Sequence, residues 1–168
     1  LPDVVEIADG VNVRHITAGP YQGLAKEVLS SQMCSMASEL MRVEAAFPKG
    51  RYDLIHSHYW ISGKVAMAAS RELGIPLVHT MHTMARVKNL NLAEGEVPEP
   101  MIRVQGETQV VAAAQALIAN TDAEAASLVS LYEACPDTVH VVTPGVDLYT
   151  FTQGDGRAAA RNFVGIDR

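Results

Sequence analysis

The sequence predicts an α/β fold in which short buried strands form a parallel sheet and helices cross between them. Residues 52–83 carry the signal. They read Y-D-L-I-H-S-H-Y-W-I-S-G-K-V-A-M-A-A-S-R-E-L-G-I-P-L-V-H-T-M-H-T: an apolar run, an Ala-rich helical pattern, a Gly-x-Pro break and a second apolar run. Strands buried on both faces of a parallel sheet read as continuous apolar runs, and the segment between them is long enough for a crossover. Each run ends in polar groups: His56, Ser57, His58 and Tyr59 in the first, His79, Thr80, His82 and Thr83 in the second. Open α/β sheets bind ligands just beyond the carboxyl ends of their strands, so both bursts are expected to line one crevice.

In this central unit residues 53–57 are expected as a strand buried on both faces. A helix from Ser62 turns Val65, Ala69 and Leu73 inward and stops at Gly74, and Ile75–Val78 forms the next strand. Upstream, Val4–Ile7 and Val11–Ile16 flank Ala8-Asp9-Gly10, a hairpin signal. Leu29, Met33, Met36, Leu40 and Val43 recur at helical spacing and give a helix over roughly 24–47 an inner stripe. Lys26 falls in its first turn, where the helix dipole disfavours a cation.

Downstream of residues 84–92, the Pro-containing acidic stretch Ala93–Pro100 reads as a loop over the crevice. A helix over about 101–116 follows, with Arg103 as a second cation set against the dipole. Residues 116–120 form a strand. Thr121 or Asp122 caps the helix running to Tyr132, and Val139–Val142 is the last strand before a turn at 143–147.

The 168 residues carry a net charge of −6 and a pI near 5.4, which does not favour nucleic acid or an anionic membrane surface. No apolar run approaches the length of a membrane span, and no signal peptide is visible; a cytoplasmic location is expected. Cys34 and Cys135 lack metal-site spacing and read as buried thiols. The chain begins Leu-Pro-Asp and runs into a charged helical pattern over Arg157–Arg168, as expected of a piece of a longer protein.

His56, His58, His79 and His82 raise the question of a metal. No Asp or Glu belongs to either burst, His79 lies inside its strand, and the carboxylate common in catalytic zinc sites is missing. His56 and His79 are expected to bond their neighbours; His58 and His82 are better placed to meet a ligand. The sequence has no G-x-S-x-G elbow, no P-loop and no G-x-G-x-x-G. What is left is a crevice with the hydroxyls of Tyr59 and Thr83, the imidazoles of His58 and His82, and the cations Lys26 and Arg103. Hydroxyls and imidazoles suit a polyol. Lys and Arg suit a phosphate, Arg by a forked contact. Together they suggest a phosphorylated polyol.

The segments G-P-Y-Q-G-L-A-K-E (19–27), Y-D-L-I-H-S-H-Y-W-I-S-G (52–63), P-L-V-H-T-M-H-T-M-A-R-V-K-N (76–89), P-E-P-M-I-R-V-Q-G-E-T-Q-V-V (98–111) and V-V-T-P-G-V-D (141–147) resemble the actinobacterial D-inositol 3-phosphate glycosyltransferases of mycothiol biosynthesis. The H-S-H-Y-W and H-T-x-H-T elements also occur in retaining transferases such as sucrose-phosphate synthases, whose acceptor is a different sugar phosphate. The resemblance implies the amino-terminal half of a GT-B fold, a Rossmann-like sheet lacking its first strand and Gly-Gly loop. Residues 1–147 would be the acceptor-binding domain, and 148–168 a linker into a nucleotide-binding domain. The implied reaction is transfer of N-acetylglucosamine from UDP-N-acetylglucosamine to inositol phosphate with retention, with the fragment alone inactive. Matched motif by motif, Lys26, Tyr59, Thr83 and Arg103 fall at the acceptor and His82 beside the donor sugar. No cofactor is implied for the fragment; magnesium in the full-length parent and a homodimer are left open. A metal-dependent hydrolase and a non-catalytic sugar-phosphate binding module are the readings from other classes.

Overall fold

A computed structural model describes residues 2–151, together with 156 and 161; the side chains of Lys26 and Glu27 lie outside the description. Most of the expected linker over 148–168 therefore falls outside the described residues, as does the helical pattern after Arg157, apart from Arg161 itself.

The central unit is a four-stranded parallel sheet in the order β3 (Ile55–His58), β4 (Leu77–Thr80), β5 (Ala116–Ala119), β6 (Val139–Val141). Each strand is followed in space by its sequence neighbour: Ile55 pairs with Leu77, His79 with Leu117 and Ile118 with His140. The crossovers are α2 (Trp60–Leu73), α3 and α4 (Ala85–Leu90, Met101–Ala113) and α5 (Asp122–Tyr132). A separate antiparallel hairpin, β1 (Val4–Ala8) and β2 (Val11–Arg14), turns at Gly10, whose φ of 72° is the left-handed value that an Asp-Gly turn favours.

Several local expectations hold for local reasons. Gly74 ends α2 in the left-handed conformation, φ 69°, and its N–H donates to Ser70. Thr121 caps α5 by accepting from the Glu124 N–H at 3.1 Å, and Glu124 reaches back to the Asn120 N–H at 2.8 Å.

Others are corrected. The first central strand is 55–58, and only Ser57 in it is buried; His56 and His58 are exposed. It lies at the edge of the four-stranded sheet, and its residues line an open hollow with Leu40 and Tyr52 instead of packing under a helix on both faces. Helix α2 starts at Trp60, two residues early, and Leu73 is exposed while Val65 and Ala69 are buried. The second strand is 77–80, not 75–78, because pairing with β5 extends it through Thr80. The long upstream helix divides into a 3-10 helix, Lys26–Gln32, and α1, Met33–Glu44. Its stripe is half-buried at best, and Leu29 is exposed. Cys34 and Cys135 are exposed free thiols.

The core lies between the sheet and its crossover helices: Ala66, Leu77, Met81, Val111, Leu117, Leu128 and Tyr132 are all buried in one cluster. Helices α2 and α4 approach closely at Gly63. A Cβ there would sit 2.8 Å from the His79 ring and 2.9 Å from Val110, both fully buried. Gly63→Ala is therefore expected to destabilise. Overpacking costs about 1–3 kcal/mol and alanine's helix preference returns at most about 1 kcal/mol. Urea unfolding of the variant checks this.

Candidate functional site

The carboxyl ends of β3 and β4 carry two bulky residues in left-handed backbone conformations, Tyr59 at φ 68° and His82 at φ 61°. Such residues cost on the order of 1–3 kcal/mol each and persist where the surroundings fix them, often at sites of function. Here the Tyr59 N–H is held by the Thr80 carbonyl at 3.0 Å. The turn lifts the Tyr59 ring away from the sheet and toward the start of α4.

There it meets Arg103, whose guanidinium carbon lies 5.2 Å from the Tyr59 ring centroid, within cation–π range. Nη2 of Arg103 donates to the Thr83 hydroxyl at 2.9 Å and to the Thr83 carbonyl at 3.2 Å. The structure thus brings together three of the four residues expected at an acceptor: Tyr59, Thr83 and Arg103. The Lys26 side chain lies outside the described residues. Ser30, on the same 3-10 helix, lines the adjoining hollow of about 80 Å³ with Tyr59, Trp60, Glu99, Pro100 and Arg103.

Arg103 is only 2% exposed. Its Nε donates to Glu107 at 2.7 Å and its Nη1 lies 2.8 Å from Glu99. The Nη1 contact is one of opposite charges without hydrogen-bond alignment, so this buried donor has no aligned acceptor. Burial opposes the charge, but the hydrogen bond and attraction of Glu107 outweigh it and raise the guanidinium's pKa above its usual value. Glu107 is fully buried. It also accepts from the Ala85 N–H at 2.8 Å and from the Tyr132 hydroxyl, tying α3, α4 and α5 together. Burial, then the bond to Glu107, pushes the Tyr132 hydroxyl's pKa up, so it stays a donor.

Glu99 and Glu107 are absent from the expected site, as is Lys88, whose ammonium lies 3.0 Å from Glu99. A signal for the two acids exists in the sequence: Glu99, Arg103 and Glu107 recur at four-residue spacing, which puts Glu107 one turn beyond Arg103 on α4 and Glu99 just before the helix on the same side.

The histidines separate as expected for two of them. His79, fully buried, pairs its Nδ1 with the Ser57 hydroxyl at 2.7 Å, and His56 pairs with the Thr80 hydroxyl at 2.9 Å. His58 and His82, both exposed, meet each other at 2.8 Å, and His56 stacks on His58 at 4.3 Å between ring centres. Partial burial, then the neighbouring imidazoles, lowers the pKa of His58. Among the described residues no group of three His, Cys, Asp or Glu is arranged to hold a metal ion. No helix among them is long and apolar enough to cross a membrane.

The chain is similar to known glycosyltransferases in sequence and in fold. The chain is 57% identical over 166 residues to the D-inositol 3-phosphate glycosyltransferase of Streptomyces scabiei, and 55% identical over 165 residues to that of Kineococcus radiotolerans. These alignments cover 99% and 98% of this chain but 37% and 38% of those proteins, so the chain spans little more than a third of their length. Its fold matches the sucrose-phosphate synthase of Thermosynechococcus elongatus with a TM-score of 0.83 at 24% identity, over 99% of this chain and 40% of that one. Anabaena HepE in complex with UDP-glucose matches at 0.58 and 17%, over 77% and 32%. The parallel sheet and its helices are those of one half of a GT-B glycosyltransferase. The model of the glycosyl transferase 4-like domain matches residues 2–145, nearly the whole described chain, and the chain belongs to that family.

Proposed function

We propose that residues 1–147 form the acceptor-binding part of a transferase that moves N-acetylglucosamine from UDP-N-acetylglucosamine to inositol phosphate with retention. Residues 148–168 would lead into the part that binds the nucleotide. The observation that carries the reading is Arg103: a buried guanidinium with one unaligned donor, framed by the Tyr59 ring and the Thr83 hydroxyl at the carboxyl ends of β3 and β4. A buried cation in that place suits a phosphate, because charge-assisted bonds are strong where water is scarce.

In this reading Arg103, joined by Lys26, grips the acceptor phosphate. Tyr59 and Thr83 hydrogen-bond the phosphate or the ring, and the exposed His82 stands beside the donor sugar. The sequence carries no G-x-S-x-G nucleophile elbow, and this reading needs no protein nucleophile: the acceptor hydroxyl attacks on the face that the diphosphate leaves. The chain's contribution is then to hold that hydroxyl in line and keep its approach fixed. As a piece of the transferase, it would not catalyse transfer alone.

Replacing Arg103 by Ala in the full-length polypeptide tests the assignment. Loss of a charge-assisted phosphate contact of roughly 1.5–3 kcal/mol is expected to raise the KM for inositol phosphate by about 10- to 150-fold and to leave the KM for UDP-N-acetylglucosamine near its wild-type value. An unchanged acceptor KM removes Arg103 from the site. Transfer by the wild-type protein to fructose 6-phosphate alone overturns the choice of acceptor.

A further inference from the structure

Lys88 and Arg103 close on the same atom. Oε1 of Glu99 lies 3.0 Å from the Lys88 ammonium and 2.8 Å from Nη1 of Arg103. One carboxylate oxygen held between an ammonium and a guanidinium is what a phosphate oxygen would be in the same place. We propose that Glu99 is an exchangeable internal occupant of an anion subsite: an incoming phosphate displaces its carboxylate, and Lys88 passes from Glu99 to the phosphate. The proposal rests on the reading of Arg103 as a phosphate ligand and adds two residues to it.

Charge requires the exchange. Arg103 already balances the buried Glu107 at 2.7 Å. A phosphate dianion arriving with Glu99 still in place would set four negative charges, two on the phosphate and one each on Glu99 and Glu107, against the cations Arg103, Lys88 and Lys26. With Glu99 gone, those three cations face the phosphate and Glu107, and the charges balance. Geometry permits it as well. Glu99 makes a charge contact to Nη1 rather than an aligned hydrogen bond, so the phosphate can offer that buried donor better alignment. The Lys88 side chain is 44% exposed, so its ammonium is free to turn from Glu99 to an incoming anion. The backbone need not move: the Glu99 N–H is anchored on the Asn89 side chain at 2.7 Å between Pro98 and Pro100, so only side-chain torsions have to turn. The small hollow beside Arg103 is lined by Glu99 itself and widens when that side chain swings out.

The test titrates the full-length polypeptide with inorganic phosphate and with D-inositol 3-phosphate by calorimetry. Glu99→Gln keeps the size and removes the competing charge; it is expected to bind both probes at least about fivefold tighter than wild type. Glu99→Asp, one methylene shorter and drawn back from Arg103, is expected to change affinity in the same direction. Lys88→Gln is expected to weaken both by a similar factor. Unchanged or weaker binding in both Glu99 variants makes Glu99 a fixed structural partner and overturns the exchange, while leaving Arg103 as a ligand. If wild type takes up UDP-N-acetylglucosamine but neither phosphate probe, the reading of Arg103 fails, and the exchange with it.

Discussion

Replacing Glu107 by Ala is expected to lower the unfolding free energy by about 3–5 kcal/mol, the cost of stranding one member of a buried ion pair. Three donors lose their acceptor at once: Nε of Arg103 at 2.7 Å, the Ala85 N–H at 2.8 Å and the Tyr132 hydroxyl. Arg103, 2% exposed in the wild-type chain, keeps the unaligned Glu99 contact, Thr83 and the Tyr59 ring but loses its one aligned carboxylate. For a chain of this size the melting temperature should fall by roughly 6–20 °C. Glu107→Gln keeps an acceptor for Arg103 and is expected to cost less, because the shape and one hydrogen-bonding oxygen survive. Thermal unfolding of the two variants side by side measures the difference. A Glu107→Ala protein as stable as wild type would mean that the network tying α3, α4 and α5 contributes nothing. Glu107 makes no contact with the hollow, so its role is to hold Arg103 in position.

The second large effect is a pH dependence centred on His79. Burial, reinforced by the neighbouring imidazoles of His58, His56 and His82, lowers its pKa from the ordinary 6.5 to about 4. Its Nε2 is buried without a partner, and a proton there would meet no acceptor. The unfolded chain takes up that proton near pH 6.5, whereas the folded chain resists it until about pH 4. The unfolded state therefore binds more protons in between. Stability due to His79 is complete above about pH 6.5 and drains away as the pH falls toward 4. Between pH 6.5 and 5 the loss should be about 1.5 kcal/mol. Urea unfolding of wild type and His79→Gln at both values isolates the effect. The expected result is a slope in wild type that the variant lacks; equal slopes would show that His79 does not resist protonation in the folded chain.

What the sequence made legible was whatever local chemistry dictates. The Asp-Gly hairpin, the Gly74 stop, the Thr121 cap and the alternation of strand and helix all depend on neighbours within a few residues, and all are present. The positions that went astray depend on partners far along the chain. Strand β3 starts at Ile55 because Ile55 pairs with Leu77, and no feature of residues 53–58 announces that register. Its exposure reflects the open hollow that its residues line with Leu40 and Tyr52, a matter of tertiary packing. Leu73 and Leu29 fit their helical stripes by period yet are each left 38% exposed.

The site shows the same division. Tyr59 and Thr83 were found because strand ends are where ligands gather. Arg103 stood out as a cation at a helix start, but its burial could not be seen, since that depends on Glu107, Thr83 and the Tyr59 ring meeting it from three directions. The carboxylates at four-residue intervals on either side were the available clue. The closure of Lys88 on Glu99 joins α3 to the stretch before α4 and had no sequence signal at all.

The most direct test of the account is a crystal structure of the full-length polypeptide with D-inositol 3-phosphate bound. The account predicts the phosphate within hydrogen-bond reach of the Arg103 guanidinium, with the Tyr59 and Thr83 hydroxyls facing the phosphate or the ring. Density for the phosphate elsewhere, with Arg103 closed on its own carboxylates and Tyr59 and Thr83 facing nothing of the acceptor, would contradict it.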